Sequence, residues 1–262
     1  MTIADMEEIH VISSRDGSSE PSFFFFPVDR AHAPLVVGLH TWSCDRFNLV
    51  ESLLPECRKR GWALLLPEFR GPNLAANPRA AQAGGSTLAR QDVLDAMDHV
   101  ITARPIDKQR LFLIGGSGGG HMALLLAAAA PDRWRGVSAW VPVTDLAAWH
   151  GQNEGYAPHI RACCGGAPRA SSAVDREYKD RSPLNHAARI AKACVSVHHG
   201  RFDTSVPHSH TVKLVEAVEA HKPMRFYYDI FDGAHEILYP EAFAWFDRLS
   251  EGDRRRTERL SG

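Results

Sequence analysis

The chain alternates short runs of Val, Ile, Leu and Phe with longer segments in which apolar residues recur at helical spacing. Strands that alternate with crossover helices are typical of a parallel sheet whose two faces are covered by helices. The sequence therefore predicts an α/β fold with a mostly parallel central sheet flanked by helices on both faces. The predicted strands span residues 22–27, 35–39, 63–67, 111–115, 136–141, 194–198 and 225–231. The predicted helices span residues 45–60, 87–103, 118–130, 185–193, 207–221 and 240–250.

The composition excludes several classes of protein. The chain has 262 residues, 44% of them hydrophobic, and a net charge of −1, so we expect one domain over residues 1–262 and no nucleic-acid partner. Apolar stretches stay well below the ~20 residues that span a bilayer, and we expect a cytoplasmic protein without a membrane partner. The five cysteines include no C-x-x-C pair, which argues against a disulfide framework and a zinc site. The arginine-rich residues 251–262 are expected to form a frayed tail.

Two connections are longer than a compact α/β domain needs. Residues 70–86 follow a predicted strand and are rich in Gly, Pro, Asn and Ala, and residues 150–184 contain several aromatic rings. Long loops in compact domains often carry function. We expect residues 150–184 to be a loop insertion that shapes a substrate pocket, with Trp149, His150 and Tyr156 lining it. The alternative is that these rings pin the loop to the domain.

A serine lies in a glycine-rich turn between a predicted strand and a predicted helix. The segment reads Gly115-Gly-Ser-Gly-Gly119, with Ser117 at its centre. A G-x-S-x-G turn strains the serine backbone and needs glycines where side chains would collide with the neighbouring strand and helix. A phosphate loop is the alternative, but no Gly-Lys-Ser/Thr follows, and His121 stands where a dinucleotide fingerprint needs glycine. The sequence therefore predicts Ser117 as a nucleophile.

A serine hydroxyl needs a histidine to accept its proton and a carboxylate to orient that histidine. In sheets of this kind the acid follows a late strand and the histidine follows the last one. Asp203 and His235 occupy these places and are the predicted partners of Ser117. Asp145, which also follows a predicted strand, is the alternative acid, and Asp203 as a cap of the next helix is the alternative role for that residue.

The sequence does not support a metal site at His235 or a catalytic role for three other histidines. A zinc motif H-E-x-x-H beginning at His235 fails because Tyr239 replaces the second histidine. His198 and His199 are adjacent on a predicted strand, so they point to opposite faces and cannot chelate one ion together. His121 is expected to be packed or exposed.

The tetrahedral intermediate of acyl transfer needs two or more backbone N–H groups directed at its oxyanion. One donor is expected to be Gly118, which follows the nucleophile. The second is expected in the segment after the strand 35–39, with the backbone of Trp42 preferred and Thr41 in reserve.

Taken together, these motifs resemble the α/β-hydrolase superfamily, and within it the catalytic domain of prolyl-oligopeptidase-like serine hydrolases. The resemblance covers most of the chain. The motifs that carry it are Gly115-Gly-Ser-Gly-Gly119, Tyr178-Lys-Asp-Arg-Ser-Pro-Leu184, Gly200-Arg-Phe-Asp203 with Val206-Pro207, and Gly233-Ala-His235. It implies an α/β-hydrolase fold and a Ser-His-Asp triad that needs neither a cofactor nor a metal.

The sequence departs from this family in two places. Thr41 follows His40 where the family usually has glycine in the oxyanion loop. The segment ahead of the strand 22–27 is too short to build the propeller of the family's peptidases. We therefore expect an esterase that cleaves small-molecule carboxylic esters of small to medium acyl groups through an acyl-enzyme. A small peptidase or amidase is the alternative, followed by a non-catalytic binding protein of the same fold.

Overall fold

The computed structural model describes residues 3–28 and 30–260, and the side chains of residues 252–260 lie outside that description. Its strands are β1 (Glu7–Ile12), β2 (Ser19–Phe25), β3 (Ala33–Leu39), β4 (Ala63–Pro67), β5 (Ile106–Gly116), β6 (Gly136–Trp140), β7 (Val195–Gly200) and β8 (Phe226–Phe231). Its α-helices are α1 (Val50–Arg60), α2 (Thr87–Ala103), α3 (Gly118–Ala129), α4 (Leu146–Gln152), α5 (Ala157–Cys164), α6 (Ser172–Asp180), α7 (Ala187–Ile190), α8 (Ser209–Glu219) and α9 (Tyr239–Leu260).

The strands form one sheet in the order β1-β2-β4-β3-β5-β6-β7-β8. Strand β2 runs antiparallel to β1 and to β4, and every pair from β4 to β8 is parallel. Every residue of β3, β4 and β6 is buried, because helices cover both faces of the sheet. The expected mostly parallel sheet is confirmed.

Two apolar layers hold the helices against the sheet. One layer packs α2, α3, α7 and α8 on the first face, with Met97, Leu124 and Leu214 among its buried side chains. The other packs α1 and α9 on the second face, where Leu53 and Phe243 are fully buried. In the part of the chain that the structure describes, no helix is long and apolar enough to cross a membrane.

Three segments differ from their sequence-based predictions. Strand β1 was not expected, because Glu7-Glu-Ile-His-Val reads as polar, and its position at the sheet edge leaves most of its side chains at least partly exposed. Residues 150–184 form helices α5 and α6 and the end of α4, so the expected loop is wrong. The backbone of the expected frayed tail is helical as far as Leu260, and residues 261–262 lie outside the described residues.

Helix α6 has a short apolar face. Val174 and Tyr178 are its only buried residues. Two buried residues, one helical turn apart, are too few to predict a helix from the spacing of apolar residues. The capping residue is the clearer sign of this helix in the sequence. The Ser171 hydroxyl accepts a hydrogen bond from Val174 N and begins the helix.

A buried arginine joins the β1–β2 hairpin to helix α2. Arg70, which follows β4, is 1% exposed, and its Nε lies 2.5 Å from Asp92 Oδ2. Its terminal nitrogens donate to Asp16 Oδ2 at 2.8 Å and to Ser13 Oγ at 3.2 Å. These bonds connect three segments that are distant in sequence.

Replacing Arg70 with methionine is expected to lower the free energy of unfolding by about 3–5 kcal/mol, because the buried Asp92 carboxylate loses its partner. Urea unfolding measures the loss. The control is Arg104→Met, which breaks an exposed pair with Glu7 and should cost less than about 1 kcal/mol. Equal losses in the two variants would show that the Arg70 network does not stabilise the fold.

Candidate active site

Ser117 occupies the sharp turn between β5 and α3. Its backbone has φ 54° and ψ −119°, a conformation that L residues rarely adopt. Its N–H donates to Trp140 O at 2.8 Å, which ties the turn to the neighbouring strand β6. A Cβ on Gly115 would lie 2.3 Å from Gly119 O, and one on Gly119 would lie 2.2 Å from Leu39 O. Glycine at both positions is therefore a steric requirement of this turn.

His235 and Asp203 form a hydrogen-bonded pair at the ends of β8 and β7. His235 Nδ1 lies 2.6 Å from Asp203 Oδ2. The Asp203 side chain is fully buried, and its Oδ1 accepts hydrogen bonds from Ser205 N and Val206 N, both at 2.9 Å. With Nδ1–H donated to the carboxylate, His235 Nε2 is left as the basic nitrogen.

The charge state of Asp203 follows from its surroundings. Burial by itself raises the pKa of this carboxyl, but hydrogen bonds from His199, His235 and the Val206 N–H hold the pKa well below its usual range. The carboxylate is ionised at neutral pH and accepts all of these bonds. It can therefore hold His235 in one tautomer and stabilise the imidazolium.

The segment that carries His235 packs against the Ser117 turn. A Cβ on Gly116 would lie 2.1 Å from Ile237 Cδ1, and a Cβ on Gly200 would lie 1.9 Å from Ala234 O. The residue before Ser117 is thus in contact with Ile237, and the end of β7 is in contact with Ala234, the residue before His235. Within the described residues no hydrogen bond joins the two side chains, which is common for catalytic groups without a bound substrate.

Two backbone amides lie side by side next to Ser117. A Cβ on Gly118 would lie only 2.5 Å from Trp42 N. Neither the Trp42 N–H nor the Gly118 N–H donates to an acceptor in the described part of the chain. By contrast, Thr41 N donates to Asn48 Oδ1 at 3.1 Å. The geometry favours Trp42 over Thr41 as the second donor to an oxyanion.

A Gly118→Ala substitution is expected to lower kcat by about 10²–10³-fold, because the new Cβ displaces Trp42 N from the oxyanion site. Steady-state kinetics should show KM changed far less than kcat. The control is Gly151→Ala, since a Cβ there has nothing within 4 Å. Full activity in the Gly118 variant would place the oxyanion donors elsewhere.

Asp145, the alternative acid, has a different role in the structure. Its Oδ1 accepts hydrogen bonds from Ala147 N and Ala148 N, both at 3.0 Å, and so caps helix α4. No hydrogen bond connects it to His235 among the described residues. Asp203 also does not cap helix α8, because that helix begins only at Ser209.

Trp149 does not line an open pocket, contrary to the sequence-based prediction. It is 1% exposed, and its indole Nε1 donates to Ser205 O at 2.9 Å. The ring stacks on Tyr156 at 4.7 Å and packs edge-on against Trp42 at 5.0 Å. Trp149 therefore fills the interior and connects α4 to the turn that contains Asp203.

His150 and Tyr156 are half-buried. His150 lies edge-on to Tyr178, and its Nε2 is buried without a hydrogen-bond partner among the described residues. The Tyr156 hydroxyl lies 3.5 Å from Ser43 Oγ, next to the Trp42 segment. A substrate-binding role for these two residues stays a prediction.

Two further histidines, His121 and His198, are packed against other residues and have no catalytic partner among the described residues. His121 is packed inside the molecule with Nε2–H donating to Arg181 O at 2.6 Å, and burial lowers its pKa to about 4. His198 stacks on Trp140 at 4.1 Å, and burial lowers its pKa to about 4 as well. Both imidazoles are neutral at pH 7 and serve packing.

Sequence reasoning missed His199, which contacts the same Asp203 oxygen, Oδ2, as His235 does. Its imidazole is fully buried, and its Nε2 lies 3.3 Å from Asp203 Oδ2 and 2.8 Å from Val206 O. Its Nδ1 lies 2.8 Å from Thr211 Oγ1 on α8. The sequence offered one indication, the alternation of side chains along a strand. Because His198 and His199 are adjacent, their side chains point to opposite faces of the sheet and must have different surroundings.

The fold and the site define this chain as a serine hydrolase with an α/β-hydrolase fold. Residues 76–253 match the model of the Prolyl oligopeptidase family, more than half of the chain. The chain belongs to this family.

The chain is also similar in sequence to individual named enzymes. The chain is 28% identical to acylamino-acid-releasing enzyme 2 of Oryza sativa subsp. japonica over 87% of this chain and 31% of that enzyme. It is 26% identical to the acylamino-acid-releasing enzyme of Rattus norvegicus over 82% of this chain and 29% of that enzyme. The chain thus spans about a third of the length of these curated relatives.

Solved structures share the fold at low sequence identity. A puromycin-hydrolyzing peptidase of Mycobacterium tuberculosis superposes with a TM-score of 0.73 at 19% identity, over 93% of this chain and 38% of the other. The fluorophosphonate-binding serine hydrolase F of Staphylococcus aureus superposes with a TM-score of 0.69 at 14% identity, over 92% of this chain and 97% of the other.

Proposed function

We propose that this chain hydrolyses amide bonds as a small serine peptidase or amidase, with Ser117, His235 and Asp203 as its triad. The observation that carries the proposal is its membership of the prolyl oligopeptidase family, together with the hydrogen-bonded pair of His235 and Asp203. The expectation of an esterase is not confirmed, because the relatives that match this chain are named as acylamino-acid-releasing enzymes or as a peptidase.

The proposed reaction proceeds through an acyl-enzyme. His235 Nε2 accepts the Ser117 hydroxyl proton as Oγ attacks the substrate carbonyl carbon. The Trp42 and Gly118 N–H groups bind the oxyanion that forms. His235 then gives its proton to the leaving amine nitrogen as the C–N bond breaks. A water molecule, deprotonated by His235, attacks the acyl carbon. As the bond from that carbon to Ser117 Oγ breaks, His235 returns the proton to Oγ, which releases the acid and free Ser117.

The proposed substrate class is an N-acylated amino acid joined to an amine. The name of the rice relative states that it releases acylamino acids, and it aligns with most of this chain. An amide is a harder substrate than an ester, because an amine leaves only after it is protonated. The protonated His235, held by the ionised Asp203, supplies that proton.

Two substrates with the same acyl group test the proposal. N-acetyl-L-alanine p-nitroanilide and N-acetyl-L-alanine p-nitrophenyl ester differ only in the leaving group. The expected result is anilide cleavage with a kcat/KM well above that of the Ser117→Ala variant, and weaker cleavage of the non-acetylated anilide. Ester cleavage with no anilide cleavage above the Ser117→Ala background would overturn the proposal in favour of an esterase.

A further inference from the structure

Two imidazole nitrogens lie near Asp203 Oδ2: His235 Nδ1 at 2.6 Å and His199 Nε2 at 3.3 Å. The proposed function assigns a role to His235. His199 belongs to β7, and its fully buried imidazole contacts Thr211 of α8. We infer that His199 is a positioning residue that holds the Asp203 carboxylate against His235. This inference rests on the proposed function, because it concerns the same triad.

The hydrogen-bond partners of His199 define its tautomer. Its Nε2 faces two oxygens that carry no proton, Val206 O and Asp203 Oδ2, so Nε2 must be the protonated nitrogen. Its Nδ1 then accepts from the Thr211 hydroxyl at 2.8 Å. The ring is held at both nitrogens and cannot rotate without breaking these bonds.

This arrangement fixes the carboxylate on both oxygens. Oδ1 accepts from Ser205 N and Val206 N, and Oδ2 accepts from His235 Nδ1. The His199 Nε2–H donates to Val206 O at 2.8 Å and also faces Oδ2 at 3.3 Å. The bond from His199 to Val206 O also holds the turn that supplies the amide donors. Without His199, Oδ2 loses the nearby N–H of that imidazole. The turn also loses the hydrogen bond from His199 to Val206 O.

Misplacing a catalytic group by about 1 Å can cost on the order of 10²-fold in rate. For His199→Leu we therefore expect a fall in kcat of about 10- to 100-fold with KM within about twofold. Inactivation by a fluorophosphonate should slow in the same proportion. His199→Gln, whose amide places an N–H donor near the Nε2 position, should restore kcat to within about fivefold of wild type.

A matched control separates positioning from packing. His210 is a second buried imidazole in this region, bonded to Thr144 and Gln152 rather than to Asp203. His210→Leu should lower the melting temperature while leaving kcat within about twofold. If His199→Leu lowers kcat no more than His210→Leu does, or if His199→Gln folds but restores nothing, the inference is wrong.

A second pair of variants covers the case in which His199→Leu does not fold. The amide of His199→Asn is too short to reach Asp203, whereas that of His199→Gln is long enough. Gln should exceed Asn by about tenfold in kcat, and equal values would overturn the inference. Failure of the proposed function is distinguishable, because it shows in the wild-type protein alone, which would then leave the anilide uncleaved. The His199 variants are compared with wild type on whichever of the two substrates the wild type cleaves.

Discussion

Replacing Ser117 with alanine is expected to lower kcat by about 10⁶-fold, the scale seen when a serine hydrolase loses its nucleophile. The reason is structural: Ser117 combines a strained turn, flanking glycines and two adjacent free amides. A fluorophosphonate probe should label the wild-type protein with one equivalent, and mass spectrometry should place the label on Ser117. The alanine variant should remain unlabelled. Its melting temperature should equal that of the wild-type protein, which shows that it is folded.

An exposed serine provides the control for this experiment. Ser172 lies at the start of helix α6, and its replacement by alanine should leave both labelling and kcat unchanged. Labelling that persists in Ser117→Ala would assign the nucleophile to another residue. Loss of labelling in Ser172→Ala would show that the probe does not report on the Ser117 turn.

The sheet was predictable where a strand is buried on both faces. Strand β4 and helix α2 have the bounds that the sequence predicts, because continuous apolar runs and amphipathic periods are local properties. Strand β1 was not predicted, because an edge strand buries few side chains. Helices α5 and α6 were missed for a related reason: their apolar faces are short and pack against one another and α4 rather than against the sheet.

The site was predictable where a residue's place follows from chain order. The Ser117 turn is encoded within five residues, and Asp203 and His235 follow strands that end at the same edge of the sheet. Trp149 is predicted to line the pocket because its amphipathic ring lies where a long connection follows a strand. Its burial depends on a hydrogen bond to Ser205, which is distant in the sequence. The role of His199 was missed because two adjacent histidines look alike until the packing of each face is known.

Asp203→Asn is expected to lower kcat by about 10⁴-fold, whereas Asp145→Asn should change kcat by less than about threefold. The sequence offers both residues as the acid of the triad. In the structure Asp203 is hydrogen-bonded to His235, whereas Asp145 caps helix α4. Asn caps a helix about as well as Asp, so Asp145→Asn should also leave the melting temperature nearly unchanged. A larger loss of kcat in Asp145→Asn, with the fold intact, would reverse the assignment.

The size of the Asp203 effect follows from its donors. Ser205 N and Val206 N point at Oδ1, so the carbonyl oxygen of an asparagine must take that position. Its NH₂ group would then face His235 Nδ1 and His199 Nε2, where the native carboxylate accepts a hydrogen bond from His235 and lies 3.3 Å from His199. To avoid two opposed donors, His235 must carry its proton on Nε2, and it can no longer accept the proton of Ser117. NMR of the imidazole nitrogens should show His235 protonated on Nδ1 in the wild type and on Nε2 in Asp203→Asn. An unchanged tautomer together with full activity would contradict the role of Asp203.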